Sequence, residues 1–527
     1  MSDTCQHTAS KTSDHDPPSG QDIVTAAKGS GIIFVGQLFE YASRFLFGII
    51  LARSIGAKGY GLYNIGDTVA GTISIFALLG LPSGIVRFLP AALGEGDEER
   101  VWGILQVAIG LVGVVSLLLA VGVFGLSDWV AQDLFHEPAA APVLRLASIW
   151  IPLATMGNLL AAATRGFNRM RYQVYANSIA FNASRIVLTV LVLSLGLGLS
   201  GVFAAGAVAT AITVGLLVYF LNQLFPLRRP LRAAQRNTRQ LLSFSLPLLL
   251  AQAIRQLGSQ IEILILSMMV TVTSVGVYGA ALRIQMVGTA LLFAVQTAAS
   301  PIIADLHDQG NHAQLRRLYR TLTKWAFSFS LPFFLTTVLF AEPMLAIFGQ
   351  DFTVGTPILV IEALGTLVNA GNGICVIMIN MTGYSKLSFC NALGSLILRL
   401  TLDVLLIRIW GAVGAAVATC LVAVVMTAVL LLEVRWLLKA WPFDLTFLKP
   451  VAAGFVALIV GLVMARLAPA GLNLFYLVLD VGLLWLGYAA VTLLLRLSEE
   501  DQMVVNRVKM QFGAKLRQLR TPSELSS

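Results

Sequence analysis

Charge is scarce in this sequence. Of 527 residues only 12% are Asp, Glu, Lys or Arg, while 57% are hydrophobic, and the mean hydropathy is +0.81. Soluble domains carry roughly 25% charge to cover their surface. A water-soluble fold is therefore excluded, and lipid is the solvent for most side chains. Cysteine and histidine are also few. Cys5, Cys375, Cys390 and Cys420 show neither metal-ligand spacing nor a disulfide framework. His7, His15, His136, His307 and His312 all fall outside the expected spans, which argues against a histidine proton relay. Neither a metal nor a cofactor is expected. No P-loop and no Gly-x-Ser-x-Gly motif occurs, and Gly29-Ser30-Gly31 is too weak a signal for nucleotide binding.

What is abundant is apolar runs of about 20 residues, the length that crosses a hydrocarbon core. They lie near 30–53, 66–91, 101–126, 143–165, 174–196, 200–224, 240–269, 274–303, 322–348, 354–380, 386–409, 411–438, 447–468 and 471–496. The expected fold is all-α, a polytopic membrane protein of about 14 transmembrane helices. Barrel strands would be shorter and alternating. The polar residues 1–28 lack a basic region joined to an apolar core and read as a disordered cytoplasmic tail, not a cleavable signal. Residues 498–527 mix Val504, Val508, Phe512 and Leu516 with Arg507, Lys509, Lys515 and Arg517, as a basic amphipathic helix on the inner leaflet does.

The formal net charge of +9 is not spread evenly. Arg165, Arg169 and Arg171, then Arg228, Arg229, Arg232, Arg236 and Arg239, then Arg316, Arg317, Arg320 and Lys324 sit in alternate connections. The opposite connections are short and nearly free of Lys and Arg. This positive-inside pattern puts both termini in the cytoplasm, and the expected location is a cytoplasmic membrane. Anionic lipids are expected partners of these cations, and nucleic acid is not.

A duplication organises the chain. A shift of 215 carries Gln37 to Gln252, Gly61 to Gly276 and Tyr63 to Tyr278. A shift of 214 carries Asn177 to Asn391 and Arg185 to Arg399, and one of 213 carries Gly198 to Gly411. Six spans per unit is an even number, so the halves keep one orientation about a pseudo-twofold axis along the membrane normal. The expected division is a six-helix lobe at 29–224, a basic linker at 225–239, a second six-helix lobe at 240–440 and an appended helix pair at 441–497.

Polar residues inside spans are costly and mark water-filled paths or internal pairs. Gln37, Glu40 and Arg44 form one helical stripe, and Gln252, Arg255, Gln256 and Glu262 another. Asn177 and Asn391 are polar positions kept by the repeat. Together Gln37, Glu40, Gln252, Gln256, Asn177 and Asn391 are the expected polar lining of a cavity between lobes, formed by spans 1, 2, 7 and 8. Arg44, Arg87, Arg185, Arg255, Arg283 and Arg399 are the candidate headgroup ligands, since guanidinium groups fork onto phosphate oxygens. Local pairing is the competing reading for Glu40–Arg44 and Arg399–Asp403, spaced i, i+4, and for Arg255–Glu262, two turns apart. Arg87, Arg185 and Arg283 have no acid nearby in sequence. Glu362 and Glu262 are candidate ion- or proton-coupling acids, with a polar group satisfied by a neighbouring helix as the alternative for Glu362.

Several segments carry a family resemblance: LARSIGAKGYGLYN at 51–64, GLPSGIVR at 80–87, RGFNR at 165–169, MTGYSK at 381–386 and GAVGAAVAT at 411–419. Over roughly 30–440 the chain resembles the polysaccharide transporter (oligosaccharide flippase) family. That likeness implies the superfamily of multidrug and toxin extruders and lipid II flippases. It implies alternating access, a polyprenyl-phosphate or pyrophosphate-linked glycan as substrate, polysaccharide assembly proteins as further partners, and no enzymatic activity. In lipid II flippases the extra helix pair forms a groove for the lipid tail. A drug or cation antiporter of the same superfamily is the alternative. A polysaccharide polymerase or ligase would need a larger outward loop than residues 127–142 provide.

Overall fold

The computed structural model describes residues 20–226, 238–467 and 474–495, and among them there is no strand. The expected amphipathic tail at 498–527, most of the linker at 225–239 and the first part of the tail at 1–28 lie outside the described residues. Helices are the physical consequence of an apolar chain whose backbone groups must find partners within their own segment. Among the described residues, ten helical segments are long and apolar enough to cross a membrane.

Helix α1 runs Gly20–Ala77, so it opens inside the stretch assigned to the tail. It is broken at Gly56 (φ 68, ψ 179), where the chain reverses between the first and second expected spans. The second expected span is itself two helices. After Gly80, in the left-handed region, α2 restarts at Leu81–Gly94 with Pro82 in its first turn, where a missing N–H costs nothing. There follow α3 (Glu98–Trp129), α4 (Ala140–Gly166), α5 (Met170–Gln173), α6 (Phe181–Ser194) and α7 (Gly198–Leu224). The second half contains α8 (Thr238–Met269), α9 (Val272–Asp308), α10 (His312–Ala346), α11 (Thr356–Asn372), α12 (Cys375–Met381) and α13 (Ser385–Leu438). Helix α13 reverses at Gly411 (φ 57), and its repeat-mate Gly198, the first residue of α7, has φ 55. The same left-handed glycine at the same place supports the duplication in three dimensions. Helices α14 (Leu448–Leu467) and α15 (Leu474–Leu494) pack on α10, with Gly454 against Leu331 and the Trp485 indole donating to Thr336 at 3.2 Å.

The repeat is visible in one reciprocal contact. A Cβ on Gly61 would strike the carbonyl of Val272, and a Cβ on Gly276 would strike the carbonyl of Ala57. The 215 shift carries Gly61 to Gly276 and Ala57 to Val272, so one pair maps onto the other and α1 and α9 cross in the self-complementary manner of a twofold axis. Around this crossing the halves share one core: Tyr60 meets Phe352 edge-on at 5.9 Å, and Phe45 meets Phe348 at 5.8 Å. A second contact lies toward the basic end, where Gly80 abuts the Ser245 carbonyl and Phe88 packs on Phe244.

Candidate functional site

Between these two contacts lies a cavity of about 370 Å³. Its walls are Asp67, Gly71 and Ser74 of α1, Trp150 and Asn158 of α4, and Gln252, Arg255 and Gln256 of α8. The Gln252 amide donates to Ser83 Oγ at 2.8 Å, and Thr72 donates to Gln260 at 3.0 Å, so polar bonds join the halves on either side of the opening. Arg255 is exposed and has no ion pair among the described residues. Of the expected lining, Gln252, Gln256 and Arg255 are where the stripe placed them. The wall contributed by α4 was not expected, nor was Asp67. A signal for Asp67 does exist: Tyr60, Asn64 and Asp67 recur at helical spacing on the face of α1 that meets α9.

The remaining candidates scatter. Arg283 is half-buried on α9, with the Asp67 charge and the Tyr60 ring near it. Arg87 is exposed, its guanidinium 4.5 Å from the Phe244 ring centre. Gln37 is half-buried. Arg44 pairs with Glu40 at 2.8 Å, and Glu40 also accepts from Ser178 at 3.3 Å, as the i, i+4 reading allowed. Asn177 sits half-buried in the π-helical stretch Val174–Ala180, and Asn391 donates to Glu433 at 2.6 Å; neither lines the cavity.

Arg185 and Arg399 do not face the cavity either, which corrects the expectation that they would. Arg185 is 9% exposed and enclosed by rings, with Phe47 3.8 Å, Phe181 5.6 Å, Tyr63 5.8 Å and Trp150 5.9 Å from its guanidinium carbon. It donates to the Tyr63 hydroxyl. Arg399 is paired, but not with Asp403 one turn away. It forms an ion pair with Glu262, and donates to the Gly258 carbonyl at 2.6 Å and to Thr419 at 3.0 Å. Glu262 is thus not the partner of Arg255, and both local pairings weighed for these arginines are replaced by an interhelix one.

Glu262 and Glu362 do come together. The Tyr278 hydroxyl lies 2.9 Å from Glu262 Oε2 and 2.8 Å from Glu362 Oε1. One hydroxyl proton serves only one of these contacts, so the second requires a carboxyl proton. Glu262 already accepts from Arg399 and from Thr419 at 2.6 Å, which makes it the ionised member. Glu362 then carries the proton and donates to Tyr278. The two acids and the tyrosine form a short proton-sharing chain, anchored where Gln285 donates to the Glu362 carbonyl at 3.0 Å. No group of three or more His, Cys, Asp or Glu side chains arranged for a metal occurs among the described residues.

A two-bundle, multi-pass helical fold with a polar cavity at the twofold crossing is the architecture of a membrane transporter. Residues 26–307 match the model of the polysaccharide biosynthesis protein family, and residues 247–405 that of the MatE family. The chain belongs to the polysaccharide biosynthesis protein family. It is 22% identical over 399 residues to the probable low-salt glycan biosynthesis flippase Agl15 of Haloferax volcanii, covering 75% of this chain and 80% of that protein. It is 25% identical over 411 residues to the probable flippase AglR of the same organism, covering 76% and 83%. Its fold is like that of the lipid II flippase MurJ in an inward closed conformation, with a TM-score of 0.70 at 14% identity over 88% of this chain and 98% of that one.

Proposed function

We propose that this protein flips a lipid-linked glycan precursor across the cytoplasmic membrane by alternating access, with its basic connections and both termini on the cytoplasmic side. The observation that carries this reading is Arg255, a cation without an ion pair in a polar cavity between the two bundles. A phosphate or pyrophosphate headgroup supplies the forked partner that Arg255 lacks, while Gln252, Gln256 and Asn158 offer amides to sugar hydroxyls. Arg283 lies behind Asp67 and adds positive potential, and Arg87 flanks the basic end. The names of the Haloferax relatives support the substrate class, and polysaccharide assembly proteins are the expected downstream partners. The protein carries its substrate and does not transform it. In this reading Glu362 and Glu262 are the coupling acids.

The test is the rate at which a labelled polyprenyl-pyrophosphate oligosaccharide crosses proteoliposome membranes. Arg255→Gln should lower that rate at least tenfold while the protein still elutes as a folded species. An undiminished rate sinks the assignment. The acid pair of the second bundle favours one other reading, cation-coupled drug export, for which cavity acids would matter more than arginines. Efflux of organic cations without glycan flipping would decide for it.

A further inference from the structure

One buried acid is left over by the arrangement around Arg399. Asp403 is 0% exposed, and neither carboxylate oxygen has a hydrogen-bond partner among the described residues. It stands one helical turn from Arg399 on the same face of α13, within reach of a guanidinium that has chosen Glu262 instead. The Nε–H of Arg399 is also unpartnered. A donor and an acceptor of opposite charge, adjacent and both unsatisfied, describe one half of a two-position arrangement. The sealed carboxyl without a donor is held as the neutral acid, because a buried charge needs a partner.

We propose that Asp403 is a proton-binding site that works a latch on α8. With the proton on Asp403, Arg399 stays on Glu262, the Gly258 carbonyl and Thr419, and so ties both halves of α13 to α8. When the Asp403 O–H breaks and the proton passes to water, Arg399 turns to the new carboxylate and releases α8. Glu262, freed of its cation, keeps the Thr419 and Tyr278 donors. Helix α8 also carries Gln252 and Arg255, so the latch governs the helix that lines the cavity; to that extent the proposal rests on the flippase reading. The charged groups that face Asp403 are Arg399 on its own helix and Glu262 on α8; Tyr278 on α9 is bonded to that Glu262 and, in turn, to Glu362 on α11. The first bundle contains an internal control. By the 215 and 214 shifts, Phe47 stands in place of Glu262 and Thr189 in place of Asp403, so Arg185 has neither seat and no latch.

The experiment measures the distance between spin labels at Met268→Cys on α8 and Ile397→Cys on α13. It uses the full chain in proteoliposomes between pH 5.5 and 8.5, with the four native cysteines replaced by alanine. Two distances should interchange with pH. Asp403→Asn should hold the acid-side distance throughout, and Asp403→Thr, the residue of the first bundle, should do the same if the Asn variant does not fold. Glu262→Gln should raise the alkaline-side population several-fold. A wild-type pH shift that persists in the folded Asp403 variants overturns the proposal, as does a wild-type protein with no shift. Flipping without any distance change sinks the latch alone; a distance change in a protein that flips no glycan sinks the flippase reading and leaves the latch.

Discussion

The two bundles hold the same arginine in opposite ways. Arg185 and Arg399 are related by the repeat, and so are Tyr63 and Tyr278 beside them. In the first bundle the cation is enclosed by four aromatic rings and has no acid partner among the described residues. In the second, Glu262 occupies the place of Phe47 and converts the ring box into an ion-paired cluster with Tyr278 and Glu362. Duplication preserved the helix crossing while substituted positions, Glu262 for Phe47 and Asp403 for Thr189, changed the electrostatics of a lobe. The first bundle keeps Arg185 among rings; in the mechanism proposed above, the second supplies the acids that exchange protons.

The largest test of this contrast strands the cation of the second bundle. Replacing both Glu262 and Asp403 by their amides should destabilise the protein by about 3–5 kcal/mol, the cost of a buried charge without a partner, read as a loss of thermal stability in detergent. Next is the crossing that both bundles share. Gly61→Ala and Gly276→Ala each force a methyl group against a carbonyl of the other helix, and each should cost about 1–3 kcal/mol. Unequal costs for the two in the same unfolding assay would break the twofold. In the first bundle Phe47→Leu removes the nearest ring from Arg185 and should cost about 2 kcal/mol or less. The smallest effect belongs to the half-exposed Glu40–Arg44 pair: Glu40→Gln should change stability by about 0.3–0.5 kcal/mol, and a larger loss would mean that Glu40 acts through Ser178.

The repeat was legible because constant offsets align polar residues that apolar helices rarely match by chance. The stripe of Gln252, Arg255 and Gln256 was legible because helical spacing puts those positions on one face. The pairing of Arg399 was not. Spacing offered Asp403, but Glu262 won, because at Glu262 the guanidinium also reaches the Gly258 carbonyl and Thr419, three acceptors from two helices. Arg185 read as a headgroup ligand since no acid lies near it in the chain. Three of its four rings come from α1 and α4, far away in sequence. Asp67 was overlooked because it lies at the edge of its expected span.

By itself the sequence determined that this is a helical membrane protein, duplicated, with a basic and a non-basic end. Those properties are sums over local runs and periodicities, and lipid reads them without regard to tertiary contacts. Only the tertiary structure decided which arginine faces the cavity, which is boxed by rings, and which acid is left without a partner. In a medium that solvates no charge, each polar group takes the nearest donor or acceptor in space, and helix crossings, not sequence neighbours, supply it.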